Sequence, residues 1–147
     1  MNWEMRMRSL TKKLWVDTNV IIRMVTGDPS ELSNEVFGLM KKVEQNEYVL
    51  RISPMVIAEC CWVLESYYEF PQEHIASVLE MLIESDGIEA EEKLVVKQAL
   101  LDYGKKHVDF IDAYLASHAK SNPPEDIVTW DKHFKRLDIR HDRPGNW

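Results

Sequence analysis

Acidic side chains adjoin short apolar segments at four places in this sequence. Apolar runs end directly in Asp17 and Asp131, Glu59 stands inside an apolar run, and Asp112 lies within the mixed segment 108–116. Carboxylates rarely lie against core segments unless they are paired or bind a metal ion. Oxygen ligands suit hard divalent cations such as Mg²⁺ or Mn²⁺, which stabilise charge in phosphate chemistry. The four acids therefore predict a metal centre that acts on phosphate.

Length and composition favour one folded domain. The chain has 147 residues and is 45% hydrophobic, which is enough for an ordinary core. No apolar run approaches the roughly 20 residues that span a bilayer, and the run 14–16 that follows the N-terminal basic residues is too short for a signal-peptide core. We therefore expect a cytoplasmic protein without a membrane segment. Cys60 and Cys61 are adjacent, which favours buried free thiols over a disulfide or a zinc site.

The charge is negative overall and unevenly distributed. The formal net charge is −7, which argues against a protein that coats nucleic acid non-specifically. Residues 52–92 contain ten acids and no Lys or Arg, whereas both ends of the sequence are basic. Two basic ends that meet in the fold would flank an acidic centre with positive charge, although simple solubility explains this distribution equally well.

Hydrophobic periodicity and turn residues predict strands alternating with helices. We predict strands at 13–17 (buried), 48–52, 126–130 and 138–141, and helices at 18–26, 30–45 (capped by Ser30), 54–68, 71–83, 90–105 and 109–121. This order predicts a parallel sheet covered on both faces by helices. Ligands bind beyond the carboxyl ends of the strands in such sheets. Asp17 and Asp131 each follow a predicted strand, so we expect both at one edge of the sheet.

Each acid also has a structural interpretation. Asp17 is a favoured N-cap residue, unless Thr18 or Asn19 caps the helix and leaves its carboxylate free. Glu59 lies in a helix that is otherwise apolar on every face, which predicts that it is buried and paired with a metal or an arginine. Asp131 is also compatible with an ordinary turn that ends a strand.

The segment 109–112 places two aspartates on one helix face. We expect Asp109 to cap the helix and Asp112, near the positive end of the helix dipole, to be a metal ligand. The hydroxyl of Thr129 alternates with Asp131 and is predicted to face the same edge. His133 and His141 lie near this site in the sequence and are candidate phosphate contacts.

These segments together resemble the PIN domain, and within it the VapC-type toxin ribonucleases of toxin–antitoxin pairs. The resemblance rests on the segments 16–23, 109–116 and 129–134 and on Glu59 in its apolar helix, and it extends from about Leu14 to Ile139. Any one of these motifs is weak, whereas four in the right order are specific. About a dozen residues precede the first predicted strand. We treat 1–12 as an N-terminal extension, either disordered or preceding a true start at Met5 or Met7, and 13–147 as a single domain.

The resemblance implies a three-layer α/β/α fold and a divalent-metal-dependent endoribonuclease. It implies an acidic quartet of Asp17, Glu59, Asp112 and Asp131, while Asp109 matches a less reliably functional position. We predict Asp17, Asp112 and Asp131 as ligands of Mg²⁺ or Mn²⁺, with Glu59 as an orienting residue or general base. The resemblance further implies an RNA substrate, a cognate antitoxin and a homodimer. Asp109, Thr129 and Asn19 are accessory candidates, and Lys132, Lys135 and Arg136 are candidates for steering RNA.

Two other functions are compatible with acids at strand ends. A PIN-like domain without catalysis would serve as an interaction module, but all four acids are present. A phosphate-accepting receiver domain binds Mg²⁺ at strand ends too. That domain needs an acidic pair near the end of its first strand, where this sequence has Trp15 and Val16, and a lysine after a late strand, where it has Asp131.

Overall fold

The computed structural model describes residues 2–5 and 11–147. Residues 1 and 6–10 of the predicted N-terminal extension lie outside this range. The helices are α1 (Thr18–Thr26), α2 (Ser33–Glu44), α3 (Pro54–Ser66), α4 (Gln72–Ile83), α5 (Lys93–Lys106) and α6 (Phe110–Ser121). The strands are β1 (Lys12–Trp15), β2 (Tyr48–Ile52), β3 (Ile88–Ala90), β4 (Ile127–Val128) and β5 (His141–Asp142). In the described part of the chain, no helix is long and apolar enough to cross a membrane.

The chain divides into two compact units. The first comprises the chain up to Cys60 together with Met81–Glu91, and the second comprises Cys61–Glu80 and Glu92–Trp147. In the first unit, β1, β2 and β3 form a sheet in that order, with both pairs parallel. In the second unit, β4 and β5 pair in parallel, with Ile127 opposite His141 and Val128 opposite Asp142. The prediction of parallel strand pairing is confirmed.

The first unit is built around the helix that follows β1. Asp17 begins α1, and its Oδ1 accepts a hydrogen bond from the backbone N–H of Val20 at 3.3 Å. Ile21 and Ile22 of this helix are buried, as are Leu50 and Ile52 of β2. Alternate residues of β2 therefore supply the core face of the sheet, as its period of two requires.

In the second unit, α5 packs closely against two other helices. Gly104 of α5 allows the approach to α4, because an added Cβ would lie 2.7 Å from Cβ of Ala76. Ser117 of α6 donates a buried hydrogen bond of 2.9 Å to the carbonyl oxygen of Val95. At the start of α5, the carboxylate of Glu92 accepts from Tyr114 Oη and contacts His118 Nδ1. Helices α5 and α6 thus pack as a pair that is also joined by polar contacts.

Three predictions about these elements are wrong in detail. The first strand is mostly exposed rather than buried, since β1 lies at the edge of its sheet and only the following Val16 joins the core. Ser30 does not cap α2; it lies in a 3-10 turn, Ser30–Leu32, and α2 begins at Ser33. The helix predicted from residue 90 begins at Lys93, because Ile88–Ala90 forms β3 beside β2.

Candidate functional site

In the first unit, Thr18 follows Asp17 in the sequence and hydrogen-bonds to Glu59. Asp17 occupies the N-cap of α1 with only its Oδ1 in the capping hydrogen bond. The neighbouring Thr18 is buried, and its hydroxyl donates to Glu59 Oε2 at 2.9 Å. The cap interpretation of Asp17 is therefore confirmed. One hydroxyl connects the start of α1 to the second acid, which lies on α3.

Glu59 is exposed, and the prediction that it is buried in an all-apolar helix is wrong. Exposed side chains of α3 recur at helical spacing at Met55, Glu59, Trp62 and Ser66, and Glu65 is exposed as well. This stripe includes large apolar residues, with Met55 83% and Trp62 69% exposed. Composition alone suggested burial on all sides, because the exposed stripe of α3 carries apolar residues as well as Glu59.

The thiol of Cys60 is affected by both acids of the first unit. Burial raises the pKa of Cys60 to about 12, and the negative charges of Glu59 and Asp17 add to the rise. Both cysteines are buried thiols that form no disulfide, as predicted. A thiol held protonated in this way is neither a nucleophile nor a metal ligand. The polar chemistry here belongs to the oxygens of Asp17, Thr18 and Glu59.

In the second unit, three aspartates crowd around the first turn of α6. Burial raises the pKa of Asp112, the negative charges of Asp109 and Asp131 raise it further, and His133 lowers it. Asp109 stands at the N-cap of α6, but its side chain makes no capping hydrogen bond. The prediction of its position is confirmed, whereas the predicted capping bond is not formed. Its charge adds to the anionic cluster instead.

The backbone holds Asp131 in a fixed turn after β4. Its N–H donates to Thr129 Oγ1 at 2.9 Å, and its Oδ1 accepts from the N–H of His133 at 2.8 Å. Asp131 thereby caps the 3-10 segment Lys132–Leu137, and His133 Nδ1 lies 3.3 Å from the same Oδ1. Thr129 thus bonds the backbone of Asp131 and fixes the turn that carries its carboxylate.

The remaining predicted residues differ in their surroundings. Asn19 is exposed, and its carbonyl oxygen accepts from Arg23 Nη1 at 3.1 Å. Lys132 and Lys135 are exposed, whereas the guanidinium of Arg136 donates to the carbonyl oxygen of His107 at 3.0 Å. Arg136 is therefore partly committed to holding the loop before α6.

Sequence reasoning missed Thr18 as a residue of the site. Its position between Asp17 and Asn19 suggested only a second capping candidate. The signal available was its small hydroxyl directly after an acid at a strand end. Its contact with Glu59 joins residues 41 positions apart, and no local pattern reveals such a pairing.

Two groups of acids have donor atoms that fit a hard divalent cation. The first unit has Asp17 and Glu59 with Thr18, and the second has Asp109, Asp112 and Asp131 with Thr129. Each group offers carboxylate and hydroxyl oxygens, the donors that Mg²⁺ and Mn²⁺ prefer. The crowding that raises the pKa of Asp112 is the condition that a bound cation relieves. Among the described residues of either unit taken alone, no group of three or more His, Cys, Asp or Glu is placed to hold a metal ion.

Comparison with known proteins identifies the class of this chain. The PIN domain family model matches residues 14–140, so the chain belongs to the PIN domain family. Membership confirms the predicted α/β/α fold with its parallel sheet. A curated relative, the VapC ribonuclease of Aquifex aeolicus (strain VF5), is 23% identical over 129 residues, which cover 88% of this chain and 95% of that protein. No solved structure matches the chain significantly.

Proposed function

We propose that this chain is a Mg²⁺- or Mn²⁺-dependent endoribonuclease, the toxin of a toxin–antitoxin pair. The observation that carries the proposal is the crowding of Asp109, Asp112 and Asp131 in the second unit. In the first unit, Thr18 follows Asp17 and its hydroxyl donates to Glu59. Family membership and the likeness to a VapC ribonuclease support the same function. On this proposal the protein acts in the cytoplasm as a homodimer and is inhibited by a cognate antitoxin.

Asp17, Asp112 and Asp131 are the proposed ligands of the metal. When bound, the ion neutralises charge on the phosphate and lowers the pKa of a water molecule. The capping bond uses only Oδ1 of Asp17, which leaves its second oxygen for a ligand. Thr129 and His133 restrain the turn at Asp131, so the carboxylate is held before RNA arrives.

Glu59 is proposed as the general base or the residue that orients the attacking water. Its Oε2 accepts from Thr18, so the carboxylate is directed while its other oxygen is left to accept a proton. Lys132 and Lys135, both exposed, are proposed to attract the RNA backbone toward an otherwise acidic protein. In-line attack of water on the phosphorus would leave products with a 5′-phosphate.

Replacement of Asp17 by asparagine tests the proposal. Asparagine caps helices as well as aspartate does, so Asp17→Asn keeps the start of α1 while it removes a ligand charge. We expect cleavage of total RNA with Mn²⁺ to fall by about 10²-fold or more, with the unfolding curve unchanged. Asp86→Asn is the matched control, since Asp86 is exposed and lies outside the proposed site.

Chelation and analysis of the products separate this function from its alternatives. A chelator should stop cleavage, and added Mn²⁺ should restore it. Full activity of Asp17→Asn, or products that end in a 2′,3′-cyclic phosphate, would contradict the proposal. Absence of both cleavage and Mn²⁺ binding in the native protein would favour the silent interaction module.

A further inference from the structure

A cavity of about 270 Å³ lies beside Asp131 in the second unit. It is lined by Thr129, Trp130, Asp131, Lys132, His141, Asp142 and Arg143. The cavity forms where the parallel strands β4 and β5 end, and the N–H of Thr129 donates to the carbonyl oxygen of Asp142 at 2.9 Å to extend the pairing. The carboxyl ends of parallel strands are the usual place for ligands in such sheets. Its volume is just below the roughly 300–1,000 Å³ of small-molecule sites, which suits a single nucleotide.

Trp130 is 78% exposed, although it is the largest apolar side chain at the cavity. Two other tryptophans have a guanidinium over the ring: Arg51 lies 4.6 Å from the ring centroid of Trp15, and Arg140 lies 5.0 Å from that of Trp147. Among the described residues, the ring of Trp130 has no aromatic or cationic partner. An exposed indole face without a partner is a platform on which a nucleobase can stack.

The charged side chains of the cavity differ in what they already bind. The carboxylate of Asp142 accepts from the N–H of Arg143 at 2.8 Å and from Asn146 Nδ2 at 2.9 Å, which satisfies it internally. Nδ1 of His141 lies 2.8 Å from the carbonyl oxygen of Ile139 and must donate to it, so Nε2 remains as an acceptor. Lys132 and the Arg143 guanidinium are exposed and form no close ion pair with the described residues. The hydrogen bonds from Asn146 and from the Arg143 backbone lower the pKa of Asp142, and the charge of Arg143 adds to this effect at long range. Two cations are therefore available for a phosphate.

We propose that this cavity is a subsite for one unstacked nucleotide of single-stranded RNA, with its base on Trp130 and its phosphate at Lys132 and Arg143. The inference rests on the proposed ribonuclease function, because the cavity shares Asp131 with the proposed catalytic centre. It adds to that function a contact of this chain's own: an unpaired base beside the scissile bond, stacked on Trp130. A duplex keeps its bases paired and stacked, so it offers no free base face to the indole.

Binding of a fluorescently labelled single-stranded oligoribonucleotide to the Asp17→Asn protein, in Mg²⁺, tests the subsite without cleavage. We expect Trp130→Ala to weaken binding by roughly tenfold or more and Trp130→Phe to retain most of the affinity. Trp62→Ala is the matched control, since Trp62 is also exposed but does not line the cavity. Stacking should also quench the tryptophan fluorescence, and Trp130→Phe should reduce the quenching.

The salt dependence tests the phosphate contacts separately. Lys132→Ala and Arg143→Ala should each lower the slope of log Kd against log salt by about 0.7. Lys105→Ala, another exposed lysine of the same unit that is outside the cavity, should leave the slope unchanged.

The outcomes separate this inference from the proposed function. Binding that depends on Trp130 in a protein that never cuts RNA would uphold the subsite and reject the nuclease. Native cleavage with unchanged RNA binding by Trp130→Ala would reject the subsite and leave the nuclease. The subsite is also overturned if a base-paired hairpin stem binds as well as the single strand. It is overturned too if Trp130→Ala disrupts self-association and leaves RNA binding intact, since Trp130 would then belong to a protein interface.

Discussion

Thr18 links the helix start at Asp17 to the exposed carboxylate of Glu59. The threonine is buried and its hydroxyl donates at 2.9 Å, so the carboxylate is restrained by a side chain that itself cannot move freely. Hydrogen bonds to a charged group are worth about 1.5–3 kcal/mol, more than those between neutral groups. On the proposed function, Thr18 is therefore a positioning residue for Glu59.

Replacing Thr18 by valine should impair cleavage more than it impairs folding. Valine keeps the shape but removes the donor, and loss of such a supporting bond typically lowers activity about 10–100-fold. Thr18→Ser keeps the hydroxyl and should restore most of kcat/KM. Thr26→Val is the matched control: Thr26 lies on the same helix and donates 2.7 Å to the carbonyl oxygen of Ile22. It should lose stability but not activity, and full activity of Thr18→Val would contradict this role.

At the residue scale, the sequence predicted the positions of the candidate acids in the elements better than it predicted their surroundings. Asp17 and Asp131 were identified from their position after strands, and both cap the element that follows. Glu59 was chosen as a candidate because it was expected to be buried, and that expectation is wrong, because hydrophobic composition does not distinguish a buried helix face from an exposed apolar one. The exposed Trp62 and Met55 on α3 are what misled the prediction.

Glycines at two turns differ in the room around them. Gly27 ends α1 with φ 71° and has open space where a Cβ would lie. Gly87 precedes β3 with φ 80°, and an added Cβ would collide with Cγ1 of Val43. The carbonyl oxygen of Gly87 also accepts from the N–H of Leu50 at 2.9 Å, so a shift here would disturb the sheet.

Replacing each of these two glycines by alanine should lower the free energy of unfolding by different amounts. Gly27→Ala adds only the left-handed backbone penalty and should lower the free energy of unfolding by about 1–2 kcal/mol. Gly87→Ala adds overpacking against Val43, for a total of roughly 2–5 kcal/mol. Urea unfolding of the two variants measures the difference. Equal losses would mean that Val43 moves aside without cost.

At the element scale, helix ends were predictable where a capping residue or turn marks them. α1 was predicted with its observed bounds, because Asp17 begins it and Gly27 ends it. β3 was missed because Ile88–Ala90 is short and its pairing partner, β2, lies far away in the sequence. A strand of this length shows no alternation of its own, so only its partner identifies it.

The stability of the whole molecule should fall at alkaline pH. Tyr103 is buried and its hydroxyl donates to Glu65 Oε2 at 2.7 Å. Burial and this bond raise the pKa of Tyr103 above its usual value. The folded state then holds the proton more tightly than the unfolded state does. The stabilisation is complete below the unfolded tyrosine pKa of about 10 and is lost as pH rises above it.

Tyr103→Phe isolates this contribution. The variant should lose about 1.5–3 kcal/mol at neutral pH, because the missing hydrogen bond is to a charged carboxylate. Above pH about 10 its stability should fall less steeply than that of the native chain, by up to 1.4 kcal/mol per pH unit. The buried Cys60 thiol, with its pKa raised to about 12, adds to the alkaline loss in both proteins equally. Urea unfolding at a series of pH values checks this, and parallel curves would contradict it.

At the scale of the whole chain, the order of strands and helices predicted the α/β class and the parallel pairing. The division into two compact units was not predicted, because each unit is discontinuous in the sequence. Residues 81–91 belong to the first unit, whereas residues 61–80, which precede them, belong to the second. Patterns of composition and periodicity describe neighbours along the chain. They carry no information on which distant segments pack together.

The capping bonds of Asp17 and Asp131 affect how descendants of this protein would diverge. Both residues begin a helical segment through Oδ1, so selection for folding would preserve them even in a descendant that had lost the proposed RNA cleavage. Glu59 lies inside α3 and Asp112 lies inside α6, so neither occupies an N-cap, and a lineage released from the proposed catalysis would lose them first. Among relatives, an intact Asp17 is therefore weak evidence that the protein is catalytically active. Substitution of Glu59 or Asp112 is stronger evidence that activity has been lost.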